Sequence, residues 1–311
     1  MNQHSSIKGR GSLIERATEI YDFNAALRGR AGPAVDVSAE LPPLPVAPPA
    51  AASFVVDAPA APTPRAPAWT GPAQAIDRAK LAEDGFLRPD GAVTTMSEEF
   101  RLLKRDLLSQ LAVNPRGNRI LVCSAHSGEG KTFCAINLAL SLAAEKDREI
   151  LLVDADFGKP GIPAQLGLEA GPGLMDALSN PTIAIEDCVI RTDIPSLAIL
   201  PAGHRTNDDT EYLASARTEQ LLKRLTEGRP DRIVIFNSPP LLAASAAAVL
   251  ASHAAIALLV VRADKTPESA LRDAAGMLKG GAQVQLLLNA VRFQSGGRRF
   301  GSYYAKGESQ S

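Results

Sequence analysis

The sequence predicts an α/β fold, a mostly parallel sheet with helices on both faces. Three observations predict it. From residue 119 onward, short apolar runs alternate with stretches of helical spacing. The runs are continuously apolar, as strands covered on both faces are, rather than apolar at every second residue. A glycine-rich turn, "SAHSGEGKT" at 124–132, separates the first of these strands from the helix that follows it.

The elements follow in order. A helix begins near residue 95, where Thr95 and Glu98 stand three apart in a capping pattern. Phe100, Leu103, Leu107 and Leu111 form its apolar face, and Glu98, Arg101, Lys104 and Arg105 line the rest. "RILVCS" (119–124) is a buried strand, and "KTFCAINLALSLAAE" from 131 is the helix after the turn. Further strands are expected at 149–156, 197–203, 232–238, 254–263 and 284–291, with helices at 211–227, 243–251 and 267–279.

Ahead of this region the composition changes. Residues 33–75 hold 11 of the 23 prolines, mixed with alanine. Proline supplies no amide donor and breaks helices, so the segment reads as a disordered or semi-extended tether. Trp69, alone within it, is expected at the solvent surface. Before the tether, Ser12 and Glu15 form a second capping pattern, with Leu13, Ala17, Ile20 and Tyr21 at helical spacing. That helix is read as a docking element for a partner. The expected organisation is a docking helix region at 1–30, a Pro/Ala-rich tether at 31–94, a globular domain at 95–293 and a flexible tail at 294–311.

Bulk properties narrow the classes of function. The net charge of −1 gives no electrostatic case for binding nucleic acid or a membrane surface. Cys123, Cys134 and Cys188 have neither a paired count nor a zinc spacing, so reduced thiols and a cytoplasmic setting are expected. The first residues carry no apolar signal core. No run approaches the roughly 18 apolar residues of a membrane span.

The turn at 124–132 has the context of a phosphate-binding loop, a strand before it and a helix after it. Backbone N–H groups at such a helix start point at phosphate. Ser127, Gly128, Glu129, Gly130, Lys131, Thr132 and Phe133 are the candidate nucleotide-binding residues, with Lys131 neutralising phosphate charge and Thr132 ligating Mg²⁺. Ala125 stands where such loops usually begin with glycine. "LLVDAD" ends with Asp154 and Asp156 two apart, hence on one side of their strand. Strand C-terminal ends line the ligand crevice of an open α/β sheet, so both carboxylates are candidate catalytic or metal groups. "RIVIFNSPP" ends its apolar run at Asn237, where a second acidic residue is expected.

These motifs resemble the bacterial tyrosine kinases of exopolysaccharide synthesis, P-loop NTPases of the MinD/ParA-like class. The resemblance covers residues 95–305. It rests on Ser124 and Gly128 to Thr132 in the loop, Asp154 and Asp156, "LPAG" (200–203), "NSPPLL" from 237, "VVRADKT" (260–266) and "LLNAV" (287–291). It implies an ATP-dependent protein-tyrosine autokinase with Mg²⁺. Lys131, Asp154 and Asp156 would be catalytic, with Asp154 activating the tyrosine hydroxyl. Thr132, Asp156 and Asn237 would surround the metal, and Asn289 would recognise the base. The family's Glu-x-x-Arg-x-x-Arg oligomerisation element is represented by Glu98, Arg101 and Lys104, and its C-terminal tyrosine cluster by Tyr303 and Tyr304 alone. A homo-oligomeric ring, no nucleic acid, no membrane span of its own, and a membrane chain-length determinant (a polysaccharide co-polymerase) as partner are further implied, with attachment to the inner membrane through that partner.

Asn237 keeps an acceptor oxygen and loses a charge, so a catalytically weak, ATP-binding regulatory subunit is the alternative. A MinD/ParA-type positioning ATPase is disfavoured, because that class carries a lysine five residues before the loop lysine, where this chain has His126.

Overall fold

The structure, a computed structural model, describes residue 66 and residues 68–291. The docking helix, most of the tether and the tail with Tyr303 and Tyr304 lie outside the described residues.

Eight strands form one sheet. They are β1 (Ala73–Gln74), β2 (Arg119–Ser124), β3 (Glu149–Asp154), β4 (Ile190–Thr192), β5 (Leu197–Leu200), β6 (Arg232–Asn237), β7 (Ile256–Arg262) and β8 (Gln283–Asn289). Their order across the sheet is β1-β4-β5-β3-β6-β2-β7-β8. Neighbours are parallel except β4 and β5. The six strands expected from sequence are present, with trimmed ends. The continuous apolar runs have a direct cause. Leu121, Leu151, Val153, Val234, Phe236, Ala257 and Leu259 pack into a core on one face. Ile120, Val122, Ile150, Leu152, Ile233, Ile235, Ile256 and Leu258 pack into a second core on the other. Alternation sends successive side chains to opposite faces, and here both faces are dry.

The helices are α1 (Arg78–Glu83), α2 (Thr95–Ala112), α3 (Lys131–Ala143), α4 (Ile162–Gln165), α5 (Leu174–Ser179), α6 (Asp209–Ala214), α7 (Ala216–Thr226), α8 (Ala246–Ser252) and α9 (Glu268–Met277). The helix expected at 211–227 is therefore two, broken at Ser215, whose backbone is extended. α2 starts one residue earlier than the Thr95–Glu98 pattern suggests. Its capping box is Thr94 with Ser97, each side chain accepting from the other's backbone N–H.

Two expectations for the segment before α2 are corrected. Residues 68–94 are part of the folded unit, not tether. β1 adds to the sheet edge beside β4, where a neighbouring proline costs little. Gly71 N–H donates to Glu186 O. A Cβ on Gly71 would stand 2.2 Å from the Val189 carbonyl oxygen, so only glycine allows this approach. Gln74 and Glu169 exchange two hydrogen bonds, and Asp77 caps α1. Trp69 is partly buried rather than solvent-exposed. It packs on the first core, with the Arg232 guanidinium 3.8 Å from the ring centroid. Arg232 is itself buried, and Glu149 accepts from it at 2.9 Å.

A third correction concerns Lys104. It lies on the buried side of α2 with Phe100, Leu107 and Leu111, not on a solvated face. Its ammonium donates to the Ser141 carbonyl at 3.0 Å and pairs with Glu145 at 2.6 Å, tying α2 to α3. The long aliphatic stem lets it sit among apolar neighbours while the charge finds partners. Glu98 and Arg101 pair with each other on the outer part of α2.

Candidate nucleotide site

The central strands β3, β6 and β2 end side by side. Asn237 is in register with Asp154 on one flank and Val122 on the other. Immediately beyond β2 the chain turns through Ser127–Gly130 into α3. Gly130 caps that helix with φ of 96°, and a Cβ there would stand 2.0 Å from Asn289 Nδ2. Glycine is thus required twice over, by backbone conformation and by contact.

A cavity of about 530 Å³ opens in front of the turn. Ser127, Gly128, Gly130, Lys131, Thr132, Phe133 and Asp156 all line it. Seven of the residues singled out in the sequence are therefore brought together. Lys131 is nearly buried, and its ammonium lies 2.8 Å from Asp156 Oδ2. Thr132 opens α3 with its hydroxyl on no protein partner among the described residues. A lysine, a hydroxyl, a carboxylate and the start of a 13-residue helix at one cavity form a site for polyphosphate.

Asp154 has another role than the one expected. It is fully buried and absent from the cavity wall. Its Oδ2 accepts from the N–H groups of Gly161 and Ile162 at 2.8 and 3.0 Å, fixing the start of α4. Its Oδ1 accepts from Asn237 Nδ2 at 3.2 Å. Burial pushes its carboxyl above the ordinary range, while these donors pull the other way. Asp156, two residues on, is the carboxylate that reaches the cavity.

Glu129 also turns inward. It is buried, and its carboxylate accepts from His126 N–H at 2.8 Å and from the Thr266 hydroxyl. Asn289 donates to the Glu129 carbonyl at 2.9 Å. It also lines a second cavity of about 480 Å³ with Met96, Phe100, Leu103 and Phe133. Phe133 belongs to both cavities, one polar and one largely apolar.

The residues present suit Mg²⁺ held together with phosphate oxygens. Among the described residues no cluster of three or more His, Cys, Asp or Glu could hold a metal unaided. Thr132 and Asp156 on the cavity wall are hard oxygen donors, and Asn237, which like Asp154 lies behind that wall, adds a third. Asn237 Oδ1 is buried without a hydrogen-bond partner, which is costly unless a water or ion meets it. All three cysteines are buried and unpaired, and Cys134 lines the second cavity. Burial pushes the Cys123 and Cys134 thiols up to about 12.

Several wall residues were not anticipated. Asp84, Phe86, Lys159 and Gln165 line the polar cavity. The Phe86 ring stacks on Phe133 with centroids 5.3 Å apart. Asn137, fully buried in α3, accepts from Leu87 N–H at 2.7 Å and donates to the Phe133 carbonyl at 3.0 Å. No motif surrounds Phe86, so nothing local in the sequence marked it. Arg101 and Lys104 line a different cavity, of about 170 Å³.

Comparison with known proteins agrees with this geometry. The model of the AAA domain family matches residues 117–272, half of the chain. The putative tyrosine-protein kinase EpsB of Ralstonia solanacearum is 31% identical over 177 residues, 57% of this chain and 23% of that protein. The chain thus spans less than a quarter of that relative's length. The putative tyrosine-protein kinase CapB of Staphylococcus aureus is 28% identical over 221 residues, 70% of this chain and 93% of CapB. Among solved structures, the VpsO kinase domain is 30% identical with a TM-score of 0.51, covering 64% of this chain and 100% of that domain. The loop, the sheet that carries it and these relatives agree: the chain belongs to the AAA-domain P-loop family, in its bacterial tyrosine-kinase branch.

Proposed function

We propose that the chain is an ATP-dependent protein-tyrosine autokinase that regulates exopolysaccharide synthesis or export. One observation carries the proposal: Lys131, Thr132, Asp156 and the 127–130 loop converge on one cavity beside Phe133. In the proposed reaction the γ-phosphoryl group of ATP passes to a tyrosine oxygen, the hydroxyl proton passes to a carboxylate, and ADP leaves. Lys131 stabilises charge on the transferring group. Its pairing with Asp156 leaves both at hand: phosphate oxygens draw the ammonium, and the carboxylate is freed to accept the proton. Mg²⁺, which Thr132 and the Asn237 oxygen would hold together with the phosphate oxygens, would neutralise their charge and leave Asp156 to take the proton. Asn289 reads the base from the apolar cavity.

Tyr303 and Tyr304, presented by a neighbouring subunit of a ring, are the proposed acceptors. Their phosphorylation would add charge and loosen that ring. Glu98 and Arg101 are the proposed ring contacts; Lys104 acts within the subunit. The partner is a membrane chain-length determinant, which would hold the protein at the inner membrane from the cytoplasm. No helix among the described residues is long and apolar enough to cross a membrane.

A second reading, an ATP-binding regulatory subunit with weak catalysis, is favoured by Asn237, whose amide is spent on Asp154. Purified protein with Mg²⁺ and γ-labelled ATP separates the two. Autokinase activity gives phosphotyrosine that Tyr303→Phe with Tyr304→Phe largely removes. Undiminished label would move the acceptor to Tyr21 or Tyr212. ATP binding without any label supports the regulatory reading.

A further inference from the structure

The phosphate loop is gripped from behind by the ends of β7 and β8. Arg262 Nη1 donates to the Gly128 carbonyl at 2.7 Å, and Asn289 Nδ2 donates to the Glu129 carbonyl at 2.9 Å. In a planar trans peptide, the carbonyl of one residue and the N–H of the next point in opposite directions. Fixing the Gly128 and Glu129 carbonyls toward β7 and β8 therefore turns the N–H groups of Glu129 and Gly130 the other way. Neither N–H meets a protein acceptor among the described residues.

The Glu129 side chain locks the same arrangement from below. One carboxylate oxygen accepts from His126 N–H at the loop's entry, and the other from the Thr266 hydroxyl. Thr266 Oγ1 in turn accepts from Arg262 N–H at 3.0 Å, so its single proton is committed to Glu129. The turn that brings Thr266 there passes through Asp264 at φ 60°, a left-handed conformation uncommon for a side chain other than glycine. That turn is closed by Lys265 and Thr266 N–H groups on the Arg262 carbonyl, at 3.2 and 3.0 Å. Both the guanidinium on Gly128 and the hydroxyl on Glu129 thus come from one five-residue stretch, 262–266.

We propose that Glu129, Arg262 and Thr266 are positioning residues, which preset the Glu129 and Gly130 N–H groups toward the phosphates of a bound nucleoside diphosphate or triphosphate. Glu129 then serves the nucleotide through its backbone, and its carboxylate faces the protein. The loop needs little reorganisation on binding, which is what preorganised donors contribute to affinity. This inference rests on the nucleotide-site reading.

The test is a calorimetric titration of the full chain with Mg·ADP, together with the Gly130 amide proton shift in ¹⁵N-labelled protein. Thr266→Val removes the proton that Glu129 requires, and Arg262→Ala removes the donor on Gly128. Each is expected to weaken Mg·ADP binding about tenfold and to shrink the ADP-induced Gly130 shift. Thr266→Ser, which restores the hydroxyl, should bind within about threefold of the natural protein. Arg262 is only half-buried, so its alanine variant keeps the test decisive should Thr266→Val fail to fold. Unchanged affinity and an unchanged Gly130 shift in Arg262→Ala would overturn the positioning role alone. A natural protein that binds no Mg·ADP would overturn the nucleotide site and this inference together.

Discussion

The loop at 127–132 and the segment at 84–87 face the same cavity, yet they are opposite kinds of sequence. The loop's residues are dictated by local chemistry: glycines for backbone approach, then lysine and threonine at a helix start. Such a pattern announces its partner. The segment's residues are dictated by tertiary contact alone. Phe86 has no motif around it and becomes intelligible only once Phe133 is seen beneath it. The cavity thus has two kinds of wall, one written in spacing and one written only in the fold.

The largest effect expected from breaking this pairing is on stability. Phe86→Ala empties a buried aromatic position and should cost about 3 kcal/mol or more in denaturant unfolding. It should also weaken nucleotide binding, since it removes the support under Phe133. A variant of unchanged stability would return residues 84–87 to the tether. Lys131→Met, on the other wall, should lower ATP affinity about a hundredfold, roughly 2.7 kcal/mol, and should also lower the unfolding midpoint, because buried Asp156 loses its ion-pair partner. Equal affinity in a titration would dismiss the phosphate-loop assignment.

Asn237 sharpens the comparison, because the structure changes what its replacement should do. Its amide donates to Asp154, and Asp154 is already raised by burial. Asn237→Asp would set two buried carboxylates against each other and remove the donor. Without nucleotide it should therefore lose about 1–3 kcal/mol at pH 7. The sign of the pH dependence follows. A buried carboxyl with a raised pKa opposes folding while it is charged, so the deficit should shrink as the pH falls and a proton is shared. With Mg²⁺ and ATP the added charge should instead strengthen Mg²⁺-dependent binding. Thermal melts over a pH and Mg²⁺ series would check both directions; a variant as stable as the natural protein in their absence would show that Asp154 does not need the amide.

Lys104 gives the smallest effect. Lys104→Met should destabilise by roughly 1–2 kcal/mol, because Glu145 keeps partial solvent access. The Lys104 hydrogen bond holds the Glu145 carboxyl below its ordinary 4.5. The natural protein should thus lose this stability as the pH falls through the lowered value, and the methionine variant should lack that acid-side loss. Light scattering on the same variant checks the assignment. Dissociation without destabilisation would restore Lys104 to an intersubunit role.

Much of the fold was legible, for identifiable reasons. Strands covered on both faces have no polar residues to interrupt them, and β2, β3, β6 and β7 read accordingly. The loop and the Asp154–Asp156 parity placed the site at the strand ends. What was hidden depended on partners distant in sequence. β1 is two residues beside a proline and exists only because β4 offers an edge. Lys104 looks like a surface lysine until Ser141 and Glu145 are placed opposite it. Asp154 and Asp156 look alike in sequence, but the turn at 161–162 consumes the first and leaves the second to the cavity.

The loop and the segment before α2 are expected to hold the nucleotide jointly. Hydrogen–deuterium exchange of the full chain, with and without Mg·ADP, tests it most directly. Protection is predicted at two separated stretches, 127–133 and 84–87, and it should vanish from both in Lys131→Met. Protection at neither stretch, or at 127–133 with 84–87 unaffected, would show that the two do not hold it jointly.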